Sequence, residues 1–234
     1  MAYLFLFLGI IAVVSFSIIR RPQVPVSTVI VKGIASLLFV FTALFGFVGN
    51  NDCDALVGAL TVAGACFGML GDIVLDLKYT YPQDSDKYLK CGFISFLIGH
   101  LFYYGALVWA YGIELKNIIF SLCGGLFMFS VVMFAEKPMK VKYGEFKKLT
   151  AVYTGVIGLI VGLGLSHAFY TPNTHTIMFG VAMVFFLLSD GLLAGTYFGI
   201  DEKDRKNQVS ITVNHLFYYI AQYLIAASLI FYRG

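Results

Sequence analysis

Charge is scarce in this chain. Asp, Glu, Lys and Arg make up only 12% of its 234 residues, about half the ~25% of an ordinary soluble domain. So little charge cannot coat a water-soluble particle of this size, and a disordered or coiled-coil chain would need far more. Cysteine is scarce as well. Cys53, Cys66, Cys91 and Cys123 lie far apart with no CxxC pair, which excludes a disulfide scaffold and gives no zinc-cluster spacing. What is abundant is apolar: 59% of residues are hydrophobic, with 23 Phe and 24 Gly, and the mean hydropathy is +0.85. These values describe an all-α, polytopic integral membrane protein, because Gly is common in membrane helices.

A span of the bilayer needs about 20 mostly apolar residues. That window finds eight: 2–19, 28–49, 55–77, 91–112, 117–135, 149–171, 175–199 and 209–232. The connections between them are short, so residues 1–234 read as one transmembrane domain. The first segment lacks a basic leader and a small-residue cleavage site, and is expected to be a retained span rather than a signal peptide. Thirteen of the 16 Lys and Arg fall after spans 1, 3, 5 and 7, whereas only Lys116 and Arg233 fall on the other side and Lys32 lies inside span 2. The positive-inside rule then puts those four connections in the cytoplasm and both termini outside. The lysines from Lys137 to Lys148 are explained by topology setting, and equally suit anionic lipid.

The string HLFYY occurs twice, at His100–Tyr104 and His215–Tyr219, 115 positions apart. In each half an Asp stands in the preceding span, Asp72 or Asp190. This suggests a 4+4 parallel internal repeat.

Ionisable groups inside a bilayer cost roughly 2.5–3.5 kcal/mol each even on lenient scales, and they mark functional sites by default. Here they are Asp72, Asp190, His100, His215 and Lys32, joined by Tyr103, Tyr104, Tyr218, Tyr219, Asn214 and Gln222. His100, Tyr103 and Tyr104 share one helix face; so do His215, Tyr218, Tyr219 and Gln222. At about 1.5 Å per residue, Asp72 and His215 lie about 9–10 Å from the cytoplasmic loops, and His100 and Asp190 about 15–16 Å. Tyr103, Tyr104 and Gln222 lie at roughly 20 Å. All therefore fall in the cytoplasmic half of the bundle. Asp76, close to Lys78, reads as a boundary residue, and His167 and His175 as bystanders at the outer edge. The GxxxG pairs Gly64/Gly68 and Gly158/Gly162 read as packing faces.

Four segments in this order resemble the YhhN/lysoplasmalogenase family: GDIVLDL (71–77), GFISFLIGHLFY (92–103), LLSDGLLAG (187–195) and YYIAQYLI (218–225). The resemblance implies an eight-span enzyme. Its reaction would hydrolyse the vinyl ether of a lysoplasmalogen to a fatty aldehyde and glycerophosphoethanolamine or glycerophosphocholine. It implies functional carboxylates at Asp72 and Asp190, with His100, Tyr219 and Gln222 lining the site. It also implies a basic residue early in the second span, at Lys32, although the family's usual Lys-Pro opening is Arg21-Pro22 here.

The residues suit that chemistry on their own account. Vinyl ethers hydrolyse through protonation of the β-carbon and capture of an oxocarbenium ion by water, and paired carboxyls serve oxocarbenium chemistry. One must be protonated, the other ionised to stabilise the cation and orient water; Asp190 is expected to be the acid and Asp72 the base. Tyr103 and His215 join the expected substrate-binding set. Lys32, Arg20 or Arg21 could hold the substrate phosphate, and Lys32 could equally snorkel. The expected partners are a lysophospholipid and the bilayer, in the cell membrane of a bacterium or the endoplasmic reticulum of a eukaryote. No nucleic acid, metal or other cofactor is expected, and oligomeric state is left open.

Three other readings compete. A zinc hydrolase could use His100, His215, Asp72 and Asp190, but no HxxxH or HExxH spacing supports it. An intramembrane aspartyl protease would carry GxGD, whereas Met69-Leu70-Gly71 precede Asp72. A proton-coupled transporter could use an Asp–His relay, but the polar residues gather in one leaflet half.

Overall fold

The computed structural model describes residues 1–20 and 26–233. Ten α-helices follow in order: α1 (Ala2–Ile19), α2 (Val26–Val48), α3 (Ala55–Thr80), α4 (Ser85–Tyr111), α5 (Leu115–Phe134), α6 (Glu136–Met139), α7 (Lys147–Tyr170), α8 (Thr174–Phe198), α9 (Glu202–Arg205) and α10 (Gln208–Ser228). Among the described residues, eight of them are long and apolar enough to cross a membrane: all but the one-turn helices α6 and α9. This is a multi-pass membrane protein, all-helical among the described residues.

Two helices run well beyond their apolar windows at the Lys/Arg-rich end. α3 continues to Thr80 rather than ending at 77, and α4 starts at Ser85 rather than 91. A helix keeps its backbone bonds beyond the hydrocarbon, so hydropathy marks the bilayer and not the helix end. Ends are closed by side chains. Asp54 accepts from the Leu56 and Val57 amides at 2.8 and 3.1 Å, Asn173 from Thr176, and Asn207 from Val209 and Ser210. Each supplies acceptors for first-turn amides that have no helical partner.

Two helices form the interior. α7 and α10 are mostly buried, whereas α1 and α5 turn most of their surface outward. α7 can sit centrally because it lacks bulk where it meets its neighbours. A Cβ on Gly158 would fall 2.3 Å from the Gly124 carbonyl oxygen of α5, and one on Gly162 would fall 2.1 Å from that of Phe120. The α5–α7 contact is therefore backbone on backbone, as small-residue faces allow. Gly64 and Gly68 of α3 do something different. Gly64 receives the Tyr103 ring and Gly68 the Gln222 amide, so this GxxxG makes room for polar side chains rather than for a helix backbone.

At the Lys/Arg-rich end the connection after α5 is tied to the end of α8. The Lys142 amide donates to the Phe198 carbonyl at 2.8 Å and the Ile200 amide to the Lys140 carbonyl at 2.9 Å. This two-bond clasp fixes the C-terminal end of α8, the helix that carries Asp190.

Candidate active site

Lys32 stands near the start of α2, 4% exposed. Its Nζ lies 3.3 Å from Asp72 Oδ1 and 3.3 Å from Asp76 Oδ1. The two carboxylates are four residues apart on α3, so one helix face presents both to the same ammonium. Arg20, at the end of α1, reaches Asp76 Oδ1 with Nη2 at 3.8 Å. Lys32 therefore does not snorkel. It is held inside by the charges that make its burial tolerable.

Asp76 is the clearest departure from the sequence reading, which left it as a boundary residue. It is fully buried, because α3 runs a further turn beyond it and Arg20 and Lys32 close over it. The signal was present: Asp72 and Asp76 are i, i+4, and a lone basic residue stood in the adjoining span.

Asp72 Oδ2 accepts two hydroxyl hydrogen bonds, from Ser36 Oγ at 2.6 Å and from Tyr218 Oη at 2.6 Å. Behind Tyr218 the polar chain continues. Gln222 Nε2 donates to Tyr218 Oη at 3.2 Å, and Tyr103 Oη donates to Gln222 Oε1 at 2.7 Å. Four helices thus meet on one carboxylate: α2 through Lys32 and Ser36, α10 through Tyr218 and Gln222, α4 through Tyr103, and α3 itself. Tyr219 approaches from the other side, 3.3 Å from Ser36 Oγ, and donates to the Lys32 carbonyl at 3.2 Å.

Asp190 lies in different surroundings. Among the described residues its Oδ2 is buried without a hydrogen-bond partner. A cavity of about 30 Å³ is lined by Asp72, Asp190, Lys32, His215, Tyr153 and Tyr218 together with Phe93, Phe96, Phe186 and Leu193. This is room for one or two waters. The two aspartates face one small space, Asp72 surrounded by donors and a cation, Asp190 by aromatic rings and leucine with the Tyr153 hydroxyl beside it. Next to it a mostly apolar cavity of about 50 Å³ opens among α5, α7 and α8. It shares Phe93, Tyr153, Asp190 and Leu193 with the first.

The arrangement lies on a chain whose residues 27–229 match the family model of the YhhN family. The chain belongs to the YhhN family. No curated protein and no solved structure matches it.

Of the residues expected in the site of this YhhN protein, Asp72, Asp190, Lys32 and His215 line the cavity directly. Gln222 and Tyr103 stand behind it through Tyr218, and Tyr219 through Ser36. His100 does not line it. Its ring packs edge-on against Phe186 at 4.5 Å and near Tyr153 at 6.0 Å. Its Nδ1 bonds the Phe96 carbonyl at 2.7 Å, the counterpart of the His215 bond to Ile211 at 2.6 Å. Ser36 was not named, and Tyr218 stood in the intramembrane polar set without being placed among the substrate-binding residues. Ser36 carried no signal, since a serine among apolar residues reads as packing; Tyr218 was half visible, one position from Tyr219 in HLFYY. His167 and His175 lie at the opposite end, where Tyr111 meets both rings. Arg21 and Pro22 fall outside the described residues. Among those described, no three His, Cys, Asp or Glu side chains converge as metal ligands.

Proposed function

We propose that this YhhN protein is a lysoplasmalogenase, hydrolysing the vinyl ether of a lysoplasmalogen by acid–base catalysis from Asp190 and Asp72. The observation that carries the reading is that two carboxyl groups line one water-sized cavity in opposite electrostatic surroundings. Asp72 has a cation on one oxygen and two hydroxyl donors on the other. An acceptor-only carboxylate is the form such partners fit. Asp190, with an unpartnered oxygen beside aromatic rings, suits the protonated acid.

In this scheme Asp190 transfers its proton to C2′ of the alkenyl chain, and positive charge develops between C1′ and the sn-1 oxygen. The Asp72 carboxylate stabilises that cation across the cavity. A water in the cavity attacks C1′ and gives a proton to Asp72, forming the hemiacetal. Asp72 then protonates the departing sn-1 oxygen while the hemiacetal hydroxyl returns its proton to Asp190. The products are a fatty aldehyde and the glycerophospho-alcohol, and both aspartates regain their starting states. The apolar cavity beside Asp190 supports placing the start of the chain there, since Met128, Val132 and Leu187 line it and Gly191 on its rim is exposed, which opens it toward lipid. With the Lys/Arg-rich end cytoplasmic, the water and the soluble product exchange with the cytoplasm.

The test is aldehyde release from lysoplasmenyl-ethanolamine by purified protein in detergent, with Asp72→Asn and Asp190→Asn. Activity in the parent and its loss in both folded variants is expected. A folded parent that releases no aldehyde overturns the reading, and proton-driven uptake into vesicles would then be measured.

A further inference from the structure

The mechanism leaves several cations unused. Beyond His215, toward the Lys/Arg-rich end, lies a cavity of about 320 Å³ lined by Arg20, Lys78, Tyr79, Arg205 and Lys206. Among the described residues no Asp or Glu lines it. It shares Leu193, Tyr197, Asn214 and His215 with the small cavity between the aspartates, so the two adjoin. Arg20 is 4% exposed, yet among the described residues its Nε and Nη1 have no hydrogen-bond partner. A buried guanidinium with idle N–H groups is costly unless an anion meets it. Its one carboxylate contact, Asp76 Oδ1, is shared with Lys32.

The other cations are also under-neutralised. Lys78 Nζ lies over the rings of Tyr197 and Tyr79, with no carboxylate within ion-pair distance among the described residues. Arg205 spends Nη1 on the Gly199 and Ile200 carbonyls, which are neutral. Lys206 alone is matched, by Glu202. In the buried cluster, Arg20 and Lys32 together balance Asp72 and Asp76, so the half-buried Lys78 beside them adds a positive charge with no carboxylate of its own among the described residues.

We propose that this basic vestibule is the phosphate subsite, binding the phosphodiester of the substrate head group through Arg20, Lys78 and Arg205. The proposal rests on the lysoplasmalogenase reading for its substrate. The order of spaces matches the order of groups along such a lipid: phosphate in the vestibule, vinyl ether between the aspartates, chain in the apolar cavity. Arg is suited to the work because its fork matches phosphate oxygens in pairs. The Lys32 ammonium, committed to Asp72 and Asp76, is not part of this subsite.

The test compares lysoplasmenyl-ethanolamine with 1-O-alkenylglycerol, which has the same vinyl ether and no phosphate. Losing one charge-assisted contact lowers binding roughly tenfold to a hundredfold. In Lys78→Gln and Arg205→Gln, the ratio of kcat/KM for the phosphodiester to that for the phosphate-free lipid is expected to fall by at least about tenfold. Arg20→Gln is expected to behave alike where it folds. An unchanged ratio in the Lys78 and Arg205 variants overturns the proposal. A second arm does not need turnover: calorimetric binding of glycerophosphoethanolamine and of inorganic phosphate to the full chain. Binding that weakens in the same variants supports the subsite even if the parent cleaves no vinyl ether. Tighter binding of the diester than of free phosphate identifies the head group as the source. No binding of either by folded parent protein overturns it.

Discussion

Replacing Lys32 by methionine removes the cation that, alone among the described residues, contacts Asp72, while keeping most of the side-chain volume. The two oxygens of Asp72 are satisfied differently, Oδ1 by the ammonium at 3.3 Å and Oδ2 by Ser36 and Tyr218. The substitution therefore strips one oxygen completely and leaves the other. Asp76 keeps Arg20 at 3.8 Å, so the loss falls mainly on Asp72. Breaking a buried pair by removing one partner costs about 3–5 kcal/mol, because the other charge stays behind uncompensated. For a chain of this length that corresponds to a fall of roughly 6–20 °C in the unfolding midpoint. The assay is thermal unfolding of purified protein in one detergent, with Lys32→Met, Asp72→Asn and the double variant. The double variant should be more stable than Lys32→Met alone, since the neutral amide needs no cation. A Lys32→Met protein within about 1 kcal/mol of the parent refutes the reasoning, and so does a double variant with no recovery.

Tyr218→Phe removes one of two hydroxyl donors to Asp72; aldehyde release is expected to fall about 10–100-fold, and an unchanged rate would separate Tyr218 from the chemistry. Gly191→Leu fills open space beside Asp190, so turnover of long alkenyl chains should fall more than turnover of short ones, read from kcat/KM across a chain-length series. Gly158→Ala puts a methyl 2.3 Å from the Gly124 carbonyl oxygen; an overpacking cost of about 1–3 kcal/mol is expected, visible as a lower unfolding midpoint. In the connection after α5, Glu136 accepts from Lys147 Nζ at 2.8 Å and from the Tyr143 amide at 3.0 Å. The Lys147 bond, then the Tyr143 amide, hold its carboxyl below the usual value of 4.5. Its contribution is thus full above pH 4.5 and fades as pH falls through the lowered folded value. The protection factor of the Tyr143 amide, with the intrinsic pH dependence of exchange divided out, should fall over that acid range in the parent and stay level in Glu136→Gln.

The spans were legible because bilayer thickness imposes a one-dimensional rule: about 20 apolar residues in a row. The level of the site was legible for a related reason, as rise per residue turns sequence position into depth. That placed Asp72, Asp190 and His215 together, and they do line one cavity. Depth says nothing about rotation around each helix, and there the reading went astray. His100, at the same depth as Asp190, turns into an aromatic cage instead of the cavity. Asp76 was judged by distance from the span end, although its partners Arg20 and Lys32 come from two other helices. Ser36 matters through Asp72 and Tyr219, contacts between helices that no spacing within α2 reveals.

The pairing of Lys32 with Asp72 and Asp76 also bears on how the chain enters a membrane. An Asp opposes insertion by up to roughly 2.5–3.5 kcal/mol at a helix centre and by less toward its end, and the last third of α3 carries two. Their counter-charge lies on α2, the element made immediately before, joined to α3 by only a short connection from Gly49 to Asp54. As a helical hairpin, α2 and α3 can neutralise each other while leaving the translocation machinery; as separate spans they would enter lipid with charges bare. The order of synthesis thus brings Lys32 and its two carboxylates into the membrane together, as neighbours in one hairpin.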